Sequence, residues 1–206
     1  MGKKVEDLGD HSKYRQILSV PYDELVPFIF DYLKRISPVT IFFWSACLIS
    51  LGIAVRIRVD IASLFTTRAI LFHSVLGLII FPVICIPFHE GLHVIPYYLS
   101  GARNIRAGMD LKQYLFYVTA HRYVAGPVQF RIVAAFPFLL ITCALGILVF
   151  TLPGLWKWSL SIFLFVHTTM CAGDFALLNF YHLHKGRNIY TWDDADLKIA
   201  YFYEEI

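Results

Sequence analysis

Charge is what this chain has least of. Lys, Arg, Asp and Glu make up 16% of its 206 residues, while 58% are hydrophobic. A soluble domain carries about 25% charged residues. So few charges cannot clothe the surface of a water-soluble globule of this size. A net charge of +3 is mild, and no run of basic residues alternates with aromatics, which argues against a nucleic-acid partner. Cysteine is also scarce. Cys47, Cys85, Cys143 and Cys171 all fall in apolar stretches and form no C-x-x-C pair, which excludes a disulfide scaffold and reads as reduced, small apolar residues. No internal repeat appears. The first 35 residues hold six basic and six acidic residues, so no cleavable signal peptide is expected there.

What is present are long apolar runs: Ile36–Val55, Ala69–Phe88, Ile132–Leu152 and Trp158–Leu183. A bilayer core is crossed by roughly 20 apolar residues as helix. The expected fold is therefore an all-α polytopic membrane protein with about four transmembrane helices. Lys and Arg divide fourteen to four between alternate sides if both termini are cytoplasmic, so the reading is N-in, C-in in the cell membrane. The expected organisation is a cytoplasmic segment 1–35, a four-helix membrane domain 36–183 and a cytoplasmic tail 184–206. The mixed aromatic and charged stretch Asp23–Ile36 predicts an amphipathic helix at the membrane surface. The alternation in residues 111–124 predicts a short β-hairpin in the inner loop 102–131.

Of the fifteen acidic residues, only Glu90 and Asp174 interrupt apolar spans. An ionisable group there is costly and marks a functional site by default. Glu90 belongs to His89-Glu90-Gly91-Leu92-His93, an H-E-x-x-H pattern that chance supplies about 0.02 times in such a chain. Residues i and i+4 share a helix face, so both imidazoles reach one metal ion. Zinc in catalytic sites takes three protein ligands and a water. Glu90, rotated about 100° from His89, is placed as general base toward that water. The expected ligands are His89, His93 and Asp174, because the second and fourth spans run in the same direction and put His89 and Asp174 at depths differing by roughly 6 Å. Cys85 and Cys171 are weaker candidates on the same faces.

His167 shares a face with Asp174, and Asn179 follows it by five residues. Both are candidates for supporting the ligands or a substrate backbone; a satisfied core histidine is the competing reading for His167. His121 lies in the inner loop, where it either covers the site or is simply solvated, and His73 sits toward the outer end. Pro82, Pro87 and Pro96 surround the motif. Each removes a helical N–H, and broken backbone at membrane depth is tolerated where it lines a watery cavity.

The H-E-G-L-H element, Ala135-Phe136-Pro137-Phe138, Cys171-Ala172-Gly173-Asp174 and the tail segments Tyr190–Asp194 and Ala200–Tyr203 together resemble the bacterial membrane family catalogued as zincin peptidases, a domain of unknown function, over roughly residues 70–206. The chain is more distantly similar to site-2-protease-type intramembrane metalloproteases, which pair H-E-x-x-H with an aspartate on another helix. It departs from them in placing that aspartate in Ala-Gly-Asp-Phe. The resemblance implies Zn²⁺ as cofactor and a protein or peptide substrate met at or within the cytoplasmic half of the bilayer. Two other classes compete. A non-catalytic metal-binding scaffold or sensor would keep the histidines without needing Glu90. A transporter or haem protein is disfavoured by the small helix count and by i, i+4 histidines on one helix.

Overall fold

The computed structural model describes residues 3–110 and 115–206. The chain runs β1 (Tyr14–Pro21), α1 (Leu25–Lys34), α2 (Pro38–Ile61), α3 (Thr67–Val75), α4 (Phe81–Leu99), β2 (Ile105–Asp110), β3 (Leu115–Ala120), α5 (Pro127–Thr151), α6 (Gly154–Met170), α7 (Ala172–Leu183), β4 (Ile189–Asp194) and β5 (Ile199–Glu205).

Local chemistry sets the helix boundaries. Ser37 caps α2: its Oγ accepts from the N–H groups of Val39 and Thr40, while Thr40 Oγ1 accepts from the Ser37 N–H at 2.9 Å. Pro38 follows at the first helical position, where its missing N–H costs nothing. Pro127 opens α5 in the same way. Between α3 and α4 the helix widens into a π turn over Leu76–Ile80, in which the N–H of Phe81 reaches back to Leu76 O. Pro82 follows directly and withdraws a donor from that turn. Gly77 in this turn lies so close to α6 that a Cβ there would sit 2.8 Å from Ile162 Cβ.

Three helical stretches are long and apolar enough to cross a membrane: Pro38–Ile61, the continuous Thr67–Leu99, and Pro127–Thr151. The apolar run expected as a single fourth span is instead two helices, α6 and α7, bent by 43° at Cys171. The bend has a chemical cause. Thr168 Oγ1 donates to Leu164 O at 2.8 Å, Thr169 Oγ1 to Val166 O at 2.7 Å and Cys171 Sγ to His167 O at 3.2 Å. Such back-bonding side chains loosen and bend a helix. Leu48, Ile84 and Phe150, on three different helices, are 68%, 55% and 71% exposed. An apolar surface of this extent needs lipid to cover it, and the chain is a multi-pass membrane protein.

The expectation of an all-α fold holds for this apolar part only. The two ends of the chain form an antiparallel sheet of order β1-β5-β4, with Tyr14 opposite Glu205 and Ile189 opposite Glu204. Period-2 burial drives it: Ala200 and Phe202 of β5 face inward, and Tyr201 and Tyr203 are half-buried on the other face. The hairpin expected in the inner loop is present as β2 paired with β3, Ile105 opposite Ala120; residues 111–114 of the expected segment lie outside the described residues. β3 continues into the sheet through bridges that join His121 to Asp193 and Ala125 to Thr191. Between the sheet and the ends of α1, α5 and α7 lies an aromatic core that includes Tyr32, Phe130, Phe180, Tyr181 and Phe202.

Candidate metal centre

One turn of α4 carries both histidines of the motif. His89 and His93 are buried, and their rings lie 5.2 Å apart, as i and i+4 on one face must. Their donor atoms and that of Glu90 lie within 4.8 Å of one another. His89, Glu90 and His93 thus form an H-E-x-x-H metal-binding cluster of the zinc-metallopeptidase kind.

Asp174 meets this cluster from α7, where it stands in the first turn beyond the bend. His89 Nε2 is 3.2 Å from Asp174 Oδ2 and His93 Nε2 is 3.4 Å from Asp174 Oδ1. The bend at Cys171 is what turns this carboxylate toward α4. Glu90 sits beside the backbone of Val118 in β3, so the hairpin borders the proposed base.

The other ring nitrogen of His93 is fixed by α5. Nδ1–H donates to Val133 O at 2.9 Å. In a regular helix that carbonyl would accept from the N–H of residue 137. Residue 137 is proline and has none. The proline therefore leaves the Val133 carbonyl open for His93, and the bond fixes the tautomer in which His93 Nε2, on the side of Asp174, keeps a lone pair free for a metal ion. The sequence showed a proline inside an apolar span, but nothing in it said which carbonyl was freed or what would use it.

Of the supporting candidates, His167 lies beside the centre. It is fully buried, with its ring 5.6 Å from that of His89 and its Nε2 3.8 Å from Cys171 Sγ. His89, His167 and Cys171 also bring donor atoms within 4.8 Å of one another. His89 Nδ1, on the ring edge not used toward Asp174, is buried and has no partner. Asn179 is elsewhere. Its amide donates to Tyr32 O at 2.7 Å and Arg35 O at 3.0 Å, and its carbonyl accepts from Ser37 Oγ at 2.6 Å. These bonds join α7 to the junction of α1 and α2, and Asn179 is not among the residues that line the cavity beside the cluster. His121 accepts an N–H bond from Ala195 at 3.0 Å and is not among the residues that line the cavity. His73 pairs with Ser159 at 2.7 Å on α3.

The cluster opens onto a cavity of about 330 Å³. Its far wall comes from β1 and the turn after it, β3, β4 and β5, including Tyr22, Thr119, Asp193 and Phe202. Burial raises the Asp193 carboxyl from 3.8 to about 6, and the neighbouring hydroxyls of Thr119 and Tyr22 offset this in part. Burial likewise raises the Tyr22 hydroxyl well above its usual value. In the sequence Asp193 is one more acid of the tail, because the partners that meet it at the cavity, Tyr22 and the strand end at His121, are distant along the chain.

A family model named DUF3267 and described as "Putative zincin peptidase" matches residues 82–185, half of the chain. No curated protein and no solved structure matches.

Proposed function

Because the chain belongs to the DUF3267 family, we propose that it is a zinc-dependent membrane peptidase, with His89, His93 and Asp174 as ligands and Glu90 as general base. The observation that carries this reading is the pair of contacts at 3.2 and 3.4 Å between the two histidine nitrogens and the two oxygens of Asp174. Donor atoms that share a tetrahedral zinc ion at about 2.1 Å stand about 3.4 Å from one another. A direct charge-assisted hydrogen bond is shorter, about 2.7–2.9 Å. Two imidazoles and a carboxylate are also the donor set that zinc accepts in hydrolases.

When bound, zinc would supply Lewis acidity toward a water and the scissile carbonyl. The residues of the chain do the rest. Val133 O holds His93 in its ligating tautomer. Asp174 reaches both histidines. The Glu90 carboxylate takes a proton from the attacking water and returns it to the leaving amine nitrogen. Aromatic and aliphatic walls around the cavity keep bulk water from competing.

The strand pairing also bears on topology. The pairing of β1 with β5 in one sheet supports a reading in which both ends of the chain lie on one side of the bilayer and the number of crossings is even. Counting α6 and α7 as one bent span gives four. The distribution of Lys and Arg puts the termini, the hairpin and the mouth of the cavity on the cytoplasmic side, with α1 at the interface. Peptide bonds would then be cut at or within the cytoplasmic half of the membrane. The reading is tested by zinc analysis of purified protein, together with a proteome comparison of cells carrying wild type or Glu90→Gln. About one zinc per chain and a membrane protein that accumulates with Glu90→Gln support it. No zinc, with no substrate distinguishing the two forms, overturns it.

A further inference from the structure

The cavity that holds Glu90 has a second acidic corner. Asp193 projects into it from β4. Its partners are hydroxyls: Tyr22 Oη donates at 3.4 Å, and Thr119 lies alongside. Among the described residues that line the cavity there is no lysine or arginine. Nearby guanidinium groups are engaged elsewhere, Arg122 with Glu6 at 2.8 Å and Arg106 with Asp196 at 2.6 Å. A carboxylate set in an apolar cavity is ordinarily paired with a cation, and among the described residues Asp193 forms no ion pair.

A second observation points the same way. Thr119 also lines the cavity and is only 3% exposed, yet its Oγ1 makes no hydrogen bond among the described residues. Buried hydroxyls are normally satisfied. An acid with spare acceptor capacity beside an unsatisfied hydroxyl is a site built for a group that carries positive charge and several N–H donors. Ammonium and guanidinium groups have that chemistry. The surrounding walls, with Val20, Phe28, Phe116 and Phe130, suit the carbon stem of such a group and strengthen its attraction to the acid.

We propose that Asp193, with Tyr22 and Thr119, is a specificity subsite for a cationic nitrogen of the substrate, either a free α-amino group or a lysine or arginine side chain. This rests on the peptidase reading above. A cavity of about 330 Å³ is near the small end for ligand sites, so the cation belongs to a residue next to, or one removed from, the bond presented to Glu90.

The test uses the full chain in detergent, zinc-loaded, with Glu90→Gln to suppress turnover. Immobilised protein is offered a mixed synthetic peptide library, and retained peptides are read by mass spectrometry. Three versions of the library are compared: unmodified, N-terminally acetylated, and with lysines and arginines replaced by glutamines. The expected result is at least tenfold enrichment of cationic peptides in the unmodified library, lost in whichever altered library lacks the recognised nitrogen. Adding Asp193→Asn abolishes the enrichment while zinc content, and hence the fold, is kept. Thr119→Val, which retains the charge, weakens it less. Retention that ignores charge, retention that Asp193→Asn leaves unchanged, or no retained peptide overturns the subsite. Cleavage by wild type without preference for a cation overturns the subsite and leaves the peptidase reading standing. Charge-selective retention through Asp193, with no cleavage by wild type, supports the subsite and overturns the peptidase reading.

Discussion

His93 and Val133 are joined by a hydrogen bond of 2.9 Å, from the imidazole Nδ1–H to a helical carbonyl that Pro137 leaves without its usual partner. The bond couples α4 to α5 at the centre and makes the proline on the neighbouring helix part of its machinery. Interior prolines usually weaken helices, so the two effects of removing this one should separate.

Pro137→Ala restores an N–H that competes for Val133 O. Thermal stability should hold or rise, while zinc affinity falls by about tenfold, the lower end for losing a bond that orients a ligand. Chelator competition and a melting curve on the same sample check both. Unchanged affinity would remove Pro137 from the centre.

Glu90→Gln should keep its zinc and lose activity by about 10²–10⁴-fold, the range for a general base. His89→Ala, His93→Ala and Asp174→Ala should each lose the metal. Inductively coupled plasma analysis separates the two groups. Full zinc in Asp174→Ala would exclude it as a ligand.

Asn179→Ala should destabilise without touching the chemistry. It removes bonds to Tyr32 O, Arg35 O and Ser37 Oγ; the two carbonyls keep one partner each, the Arg35 N–H and Thr40 Oγ1, so the cost is that of the lost bonds, about 1–3 kcal/mol. The variant should melt earlier yet bind zinc with wild-type stoichiometry below its melting temperature. Loss of zinc in a folded sample would return Asn179 to the site.

Asp193 should give stability a characteristic pH dependence. Its carboxyl is raised from 3.8 to about 6 in the folded chain, so the folded state holds this proton more tightly than the unfolded state does. Its contribution to stability therefore falls as pH rises from about 4 to about 6. Asp193→Asn should melt higher than wild type at pH 8 and match it at pH 4. Equal melting temperatures at both would show that the acid carries no such burden.

The parts of this protein that the sequence made legible are those written in short range. Apolar runs of bilayer length, two histidines four apart and a lone aspartate in an otherwise apolar span need no tertiary contact to be noticed. The hairpin was legible for the same reason, since alternation within one loop carries it. The sheet was not, because Tyr14 finds its partner at Glu205. The bend at Cys171 was hidden in threonine hydroxyls that sequence hydropathy treats as neutral. Asn179 stood out in the sequence because a polar residue in a span suggests a site. Its partners are instead carbonyls at the end of α1, where a helix leaves such groups unsatisfied. Pro137 was visible, but its role depends on which side chain lies across from Val133.

The placement of β5 between β1 and β4 has a consequence for biosynthesis. Ala200 and Phe202 belong to β5 and wall the cavity. A nascent chain whose four apolar stretches have already entered the bilayer still has β1 without a partner and the cavity open on that side. The chamber closes only once residues 199–205 have left the ribosome. The order of translation thus sets the sheet wall of the chamber in place only after the His89, Glu90 and His93 cluster has been made.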